Sequence, residues 1–266
     1  MTKLRIFWAL QVAALRGSMQ YRVDFVVMSV MALVYQGSGF AFIWAALEKF
    51  HVIAGWSFAE VAFLFGLRVV AHTLWRIPFS QVSSLDYVIR EGRLDRYLVR
   101  PLNPLVQLMT RGFFVGTFGD ILNAGIVMTV ALRVAPVSWT PVHVVYLVFA
   151  VLGGALVEGA FCLAAASMGF KSLQTWAAEY LVDNGFLMFG SYPLQLFGGV
   201  TQWIVTWVIP VGFVAYLPAA VLLGRGGELS VAPAVAYAAP LMGLVCFALA
   251  YLFWTRQLRH YQGAGT

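Results

Sequence analysis

Charge is what this sequence is short of. Only 11% of its 266 residues are Asp, Glu, Lys or Arg, where a soluble domain carries about a quarter. With 61% hydrophobic residues and a mean hydropathy of +0.83, an ordinary water-soluble domain is excluded. Lysine is scarcest, at Lys3, Lys49 and Lys171 alone. None of them completes the phosphate-cradling pattern G-x-x-x-x-G-K-[ST]: in Gly169-Phe170-Lys171-Ser172 a phenylalanine stands where the glycine must precede lysine. The chain therefore cannot hydrolyse ATP alone. Its two cysteines, Cys162 and Cys246, sit in apolar runs without a CxxC pair, which argues against a disulfide framework and a zinc site. The four histidines, His51, His72, His143 and His260, are scattered, and no H-E-x-x-H helix is present. Gln36-Gly37-Ser38-Gly39 reads as a helix-packing site of small residues before it reads as a serine nucleophile. The net charge of +6 resides in short loops between apolar runs, so orientation in a membrane explains it better than nucleic-acid binding.

What the sequence has in quantity is apolar length. A helix needs about 20 residues to cross about 30 Å of hydrocarbon. Stretches near 25–46, 58–77, 113–132, 142–170 and 233–254 meet this, and another begins near Leu173. The expected fold is an all-α membrane protein with six transmembrane helices in a single domain covering 1–266. Residues 1–22 form a cytoplasmic interfacial helix: the apolar core 6–15 is too short to span, and Lys3, Arg5, Arg16 and Arg22 flank it. Between Asn184 and Gly224 there is no charge, but Pro193, Pro210 and Pro218 interrupt the run. One more complete crossing would place the C-terminal Arg256 and Arg259 outside, so 192–224 is expected to enter the outer leaflet and return. With that topology 13 of the 17 Lys and Arg fall inside, and both termini are cytoplasmic.

The long polar interruption is 80–107. Within it Leu94, Tyr97 and Leu98 lie at i, i+3 and i+4, an apolar stripe, while Arg93, Arg96 and Arg100 occupy another face. Pro101 ends the helix and Asn103-Pro104 turns the chain into the next run. Charge alone reads as positive-inside bias. The motif goes further: Glu91-Gly92-Arg93-Leu94-Asp95-Arg96-Tyr97-Leu98-Val99-Arg100-Pro101-Leu102-Asn103-Pro104 resembles the loop between spans two and three of ABC-2 type permeases. The segment Val208-Ile209-Pro210-Val211-Gly212-Phe213-Val214-Ala215-Tyr216-Leu217-Pro218 is also similar, and the closest likeness is to a bacterial subgroup that includes viologen and multidrug exporter permeases.

That resemblance implies a non-catalytic permease subunit of an ABC exporter in the bacterial plasma membrane. The loop would be a coupling helix, with Glu91, Arg93, Leu94, Asp95, Arg96, Tyr97, Leu98 and Arg100 docking on a separate ATP-binding subunit. ATP and Mg would be held by that partner, with no cofactor on this chain. A second permease copy or a paralogue would supply the other half of the path. The cargo class implied is a hydrophobic or cationic small molecule.

Among the charged residues of the expected spans the candidates for a functional role are Arg68, Glu158 and Asp183, with Glu179 nearer the membrane edge. A charge there costs about 2.5–3.5 kcal/mol on insertion scales and is kept with a partner or water. Two readings stay open. Arg68 pairs with Asp183 or Glu158 as a structural ion pair, or Glu179 and Asp183, four apart on one helix face, line a cation-favouring vestibule. The alternative function class is an ion-driven secondary transporter, which calls for internal repeats that the two halves do not display. A membrane-embedded enzyme or assembly factor is a third reading, with no site to carry it.

Overall fold

The computed structural model describes residues 3–50, 52–172 and 175–261. Thirteen α-helices are present among them: α1 Lys3–Ser18, α2 Arg22–Phe50, α3 Phe58–Phe79, α4 Leu85–Arg90, α5 Arg93–Leu98, α6 Pro104–Met109, α7 Thr117–Val134, α8 Pro141–Ser167, α9 Trp176–Gly190, α10 Gly199–Trp207, α11 Tyr216–Leu222, α12 Pro233–Tyr237 and α13 Ala239–Arg259. One small departure from an all-α chain is an antiparallel pair, β1 Val52–Ile53 and β2 Trp56–Ser57, registered Val52 to Ser57 and Ile53 to Trp56.

Five helices among the described residues are long and apolar enough to cross a membrane, namely α2, α3, α7, α8 and α13. The helix expected as the fifth span is shorter than foreseen. α9 has 15 residues, about 22 Å at 1.5 Å per residue, and ends before Pro193, which cannot continue a helix. Its expected start near Leu173 lies outside the described residues. The third span begins at Thr117 rather than at 113. The last is shifted toward the C-terminus, because Pro240 lacks the N–H that would join α12 to α13.

The proline-interrupted segment is bent: Gly199–Trp207 and Val211–Leu222 meet at 71° around Pro210. Irregular backbone at membrane depth must be covered by protein, and nearly every residue of 210–222 is buried. Val211 packs beside Gly190 at the end of α9, and Val214 lies against Gly154 of α8.

The core lies between α3, α7, α8, α11 and α13. α8 and α13 touch backbone to backbone, since a Cβ on Gly243 would lie 2.2 Å from the carbonyl oxygen of Gly153. Only glycine allows that approach. α2 and α9 are the loosely covered members, with Val27, Met31, Tyr35, Tyr180 and Leu181 all exposed.

Candidate coupling surface and intramembrane cavity

One end of the bundle carries the 80–107 segment. A single short helix was the expectation; α4, α5 and α6 form it instead, because Gly92 adopts a left-handed φ of +63° and breaks the chain between α4 and α5. Leu94 is fully buried and Tyr97 half-buried, both packed on a cluster with Leu85, Ile89, Leu105, Leu163 of α8 and Trp254 of α13. Leu98 faces outward, at 44% exposure. The apolar stripe is therefore narrower than the sequence spacing indicates. Glu91, Asp95, Arg96, Leu98 and Arg100 all point away from the bundle.

Two polar anchors hold this segment to the spans. Asn103 caps α6 by accepting from the Leu105 N–H at 2.9 Å, and its amide donates to the Tyr251 hydroxyl of α13 at 2.9 Å. The buried Gln107 amide donates to the carbonyls of Tyr97 and Leu102 at 2.8 and 2.9 Å, fastening the loop after α5. On the outer side Arg93 pairs with Glu91 at 2.5 Å. Glu91 also faces the Tyr87 hydroxyl and raises its pKa. Arg96 and Arg100 have no ion-pair partner among the described residues.

Deeper in the bundle, α3 presents Arg68, His72 and Arg76 at i, i+4 and i+8, one face of the helix. The structure does not close the expected ion pair of Arg68 with Glu158 or Asp183. Glu158, wholly buried on α8, is hydrogen-bonded to His72 Nδ1. Arg76 Nε lies 3.7 Å from Asp120 Oδ2 on α7. Arg68 is 2% exposed, yet its Nε and Nη1 have no hydrogen-bond partner among the described residues. Gly190 leaves room for its stem, lying near Arg68 Cγ.

Arg68 instead lines a cavity of about 350 Å³ between α2, α3, α7 and α9. Arg76, His72, Asp120, Gln36, Asp183 and Asn184 contribute the other polar groups. The Cys162 thiol donates to Asp183 at 3.6 Å. Glu179 is not part of this lining; the Thr175 hydroxyl donates to it at 2.8 Å. Of the pair expected to share a vestibule, Asp183 lines this cavity and Glu179 does not, and the second carboxylate of the lining is Asp120 of α7.

His72 and Asp120 escaped sequence reasoning. The signal for His72 was its place on the Arg68 face; for Asp120, a carboxylate inside the third expected span. A third set lies at the opposite end, where Arg225 donates to Glu60 at 3.0 Å, to Glu228 at 2.6 Å and to the Gly55 carbonyl at 2.9 Å, stacked over Trp56. These bonds, that to Glu228 foremost, raise the pKa of Arg225. No spacing in the sequence announces this clasp.

A family model described as ABC-2 family transporter protein matches residues 33–265. The chain belongs to that family. Neither curated proteins nor solved structures give a match. As an ABC-2 permease it is a multi-pass membrane subunit of an ABC transporter, without catalytic machinery of its own. The resemblance carried by Glu91–Pro104 thus reaches the right family, and the all-helical membrane fold is the one expected.

Proposed function

We propose that this ABC-2 permease is the membrane half of an ATP-driven exporter and that α5, with the turn before it and the exposed residues after it, is where a separate ATP-binding subunit docks. The observation that carries the reading is the two-sided character of the 80–107 segment. Its outer side offers Glu91, Arg93, Asp95, Arg96, Leu98 and Arg100, while Leu94, Tyr97, Asn103 and Gln107 weld its inner side to α8, α13 and the loop itself. A push on α5 is therefore delivered to two spans. ATP and Mg are held by the partner.

Both termini lie in the cytoplasm and the membrane is the bacterial inner membrane. The skew of Lys and Arg toward the loops at the α5 end supports this orientation, and the bend at Pro210 then enters from the outer side and returns. A second copy or a paralogue completes the path: the cavity holding Arg68 and Asp183 lies between α2 and α9, charges facing lipid are costly, and a partner covering this cavity supports a dimer. The cargo is a hydrophobic or cationic small molecule, in the manner of viologen and multidrug exporter permeases, with Asp183 as its charged contact.

The test is pull-down of an ABC ATP-binding subunit co-expressed with this chain, followed by ATP turnover in the reconstituted pair. Arg96→Glu combined with Arg100→Glu is expected to abolish both association and transport-coupled turnover, leaving the permease itself folded. Normal turnover and normal pull-down with that double variant would overturn the docking assignment.

A further inference from the structure

The charges that line the cavity are balanced, two arginines and two aspartates, but they are not all spent on one another. Arg76 and Asp120 lie against each other, and Glu158 behind the cavity is taken by His72. Arg68 and Asp183 remain, one guanidinium and one carboxylate that face the same space without forming an ion pair. A buried guanidinium with two idle N–H directions is costly unless something enters to accept them. A simple anion at Arg68 would meet the field of Asp183, and a simple cation at Asp183 would meet that of Arg68. The complement to a separated plus and minus is a molecule carrying both. Beside the amides of Gln36 and Asn184, much of the remaining wall is apolar: Met28, Met31 and Leu187 line it, and the lining residues Met31 and Tyr35 are exposed. Methionine-rich walls adapt to variable apolar shapes.

We propose that this cavity binds a zwitterionic amphipath, its anionic group accepting from Arg68, its cationic group at Asp183, and its apolar body along Met28, Met31 and Leu187. This rests on the proposed translocation reading and narrows its cargo class, since Arg68 beside Asp183 requires that a cationic group at Asp183 be accompanied by an anionic one; the binding itself requires neither the ATPase nor transport. Membrane phospholipid with an amine headgroup and a transported zwitterion share this chemistry.

The test uses the full chain in maltoside micelles and three probes with one C12 tail, added below their micelle concentrations: dodecylphosphocholine, dodecyl phosphate and dodecyltrimethylammonium. Binding to the native state raises the melting temperature. For the wild type dodecylphosphocholine is expected to exceed the other two by about 2–4 °C. Asp183→Asn, an isosteric change at a half-buried site, should transfer the largest rise to dodecyl phosphate. Arg68→Gln should transfer it to dodecyltrimethylammonium. Equal rises from all three probes on the wild type, or an unchanged ranking in Asp183→Asn, would overturn the proposal even if Arg68→Gln does not fold. Mass spectrometry of extracted lipid separates the sources. A zwitterionic phospholipid retained by the wild type and lost from Asp183→Asn assigns the site to membrane lipid; dodecylphosphocholine binding without retained lipid assigns it to transported cargo; both support the site. Because the readout is the permease alone, failure of the Arg96/Arg100 docking test leaves this result untouched, and failure here leaves the docking assignment standing.

Discussion

Glu158 sits near the middle of a span with no exposure, and what makes that tolerable is the imidazole of His72 on the neighbouring helix. A carboxyl group in that position without a partner bears the full cost of desolvation. His72→Ala is therefore expected to destabilise the chain by about 3 kcal/mol, read as a lower unfolding midpoint in micelles. Glu158→Gln keeps a group that can bond the ring and should cost less than about 1.5 kcal/mol. Equal losses from the two changes would show that the pair is not what holds α3 to α8 at this depth. Arg68 illustrates the opposite case: a long stem accommodated by Gly190, with a charged end directed at a cavity and not at a fixed acid.

The 80–107 segment is rigid for reasons that individual elements supply. α4, α5 and α6 each have only 6 residues, too short to be stable helices alone, so their persistence rests on Leu94, Leu105 and Leu108 in a common cluster and on the cap at Asn103. Asn103→Ala removes the cap and the bond to Tyr251 together. It should cost about 1 kcal/mol and lower transport-coupled ATP turnover, whereas Asn103→Asp retains a cap acceptor and should stay near wild type in both. Loss of stability without loss of coupling would mean that the bond to α13 transmits nothing. α9 is built differently. It is about three quarters of a span long and buries only Phe186 and Gly190, as suits an element covered by something other than its own chain.

At the scale of the whole molecule the axis of the bundle is the α8–α13 contact, closed at one end by Phe170 set edge-on to Trp254 with ring centroids 5.0 Å apart. Toward the other end, near the start of α13, it depends on Gly153 against Gly243. Gly243→Ala should therefore overpack the pair and cost about 1–3 kcal/mol, with a matching drop in the yield of folded protein. Gly125 in α7 has open space around its Cβ position. Gly125→Ala should be neutral or stabilising by up to about 1 kcal/mol. If both substitutions behaved alike, close backbone approach would not be what organises the bundle. At the far end the Arg225 clasp joins the β1–β2 turn, the start of α3 and the segment after α11. It ties the segment after the bend at Pro210 to the α3 end of the scaffold.

Much of this protein was decided locally. Low charge and apolar runs of span length determine a helical membrane protein, because a chain in hydrocarbon must satisfy its backbone within its own helices. The polar run at Glu91–Pro104 was legible for the same reason: it is the one long stretch that lipid would reject, and its motif carried the family. Even there the sequence spacing grouped Leu98 with Leu94 and Tyr97, and only the turn at Gly92 set the rotation that turns Leu98 outward. The charged residues inside the spans were visible, but their partners were not. His72 and Glu158 are 86 positions apart and Arg225 and Glu60 are 165 apart; which faces meet depends on helix rotation and crossing, set by packing over the whole bundle. Arg68 was readable as a charge in need of a partner, and tertiary structure alone decided that Glu158 would bond His72 and that the guanidinium would face a cavity it shares with Asp183.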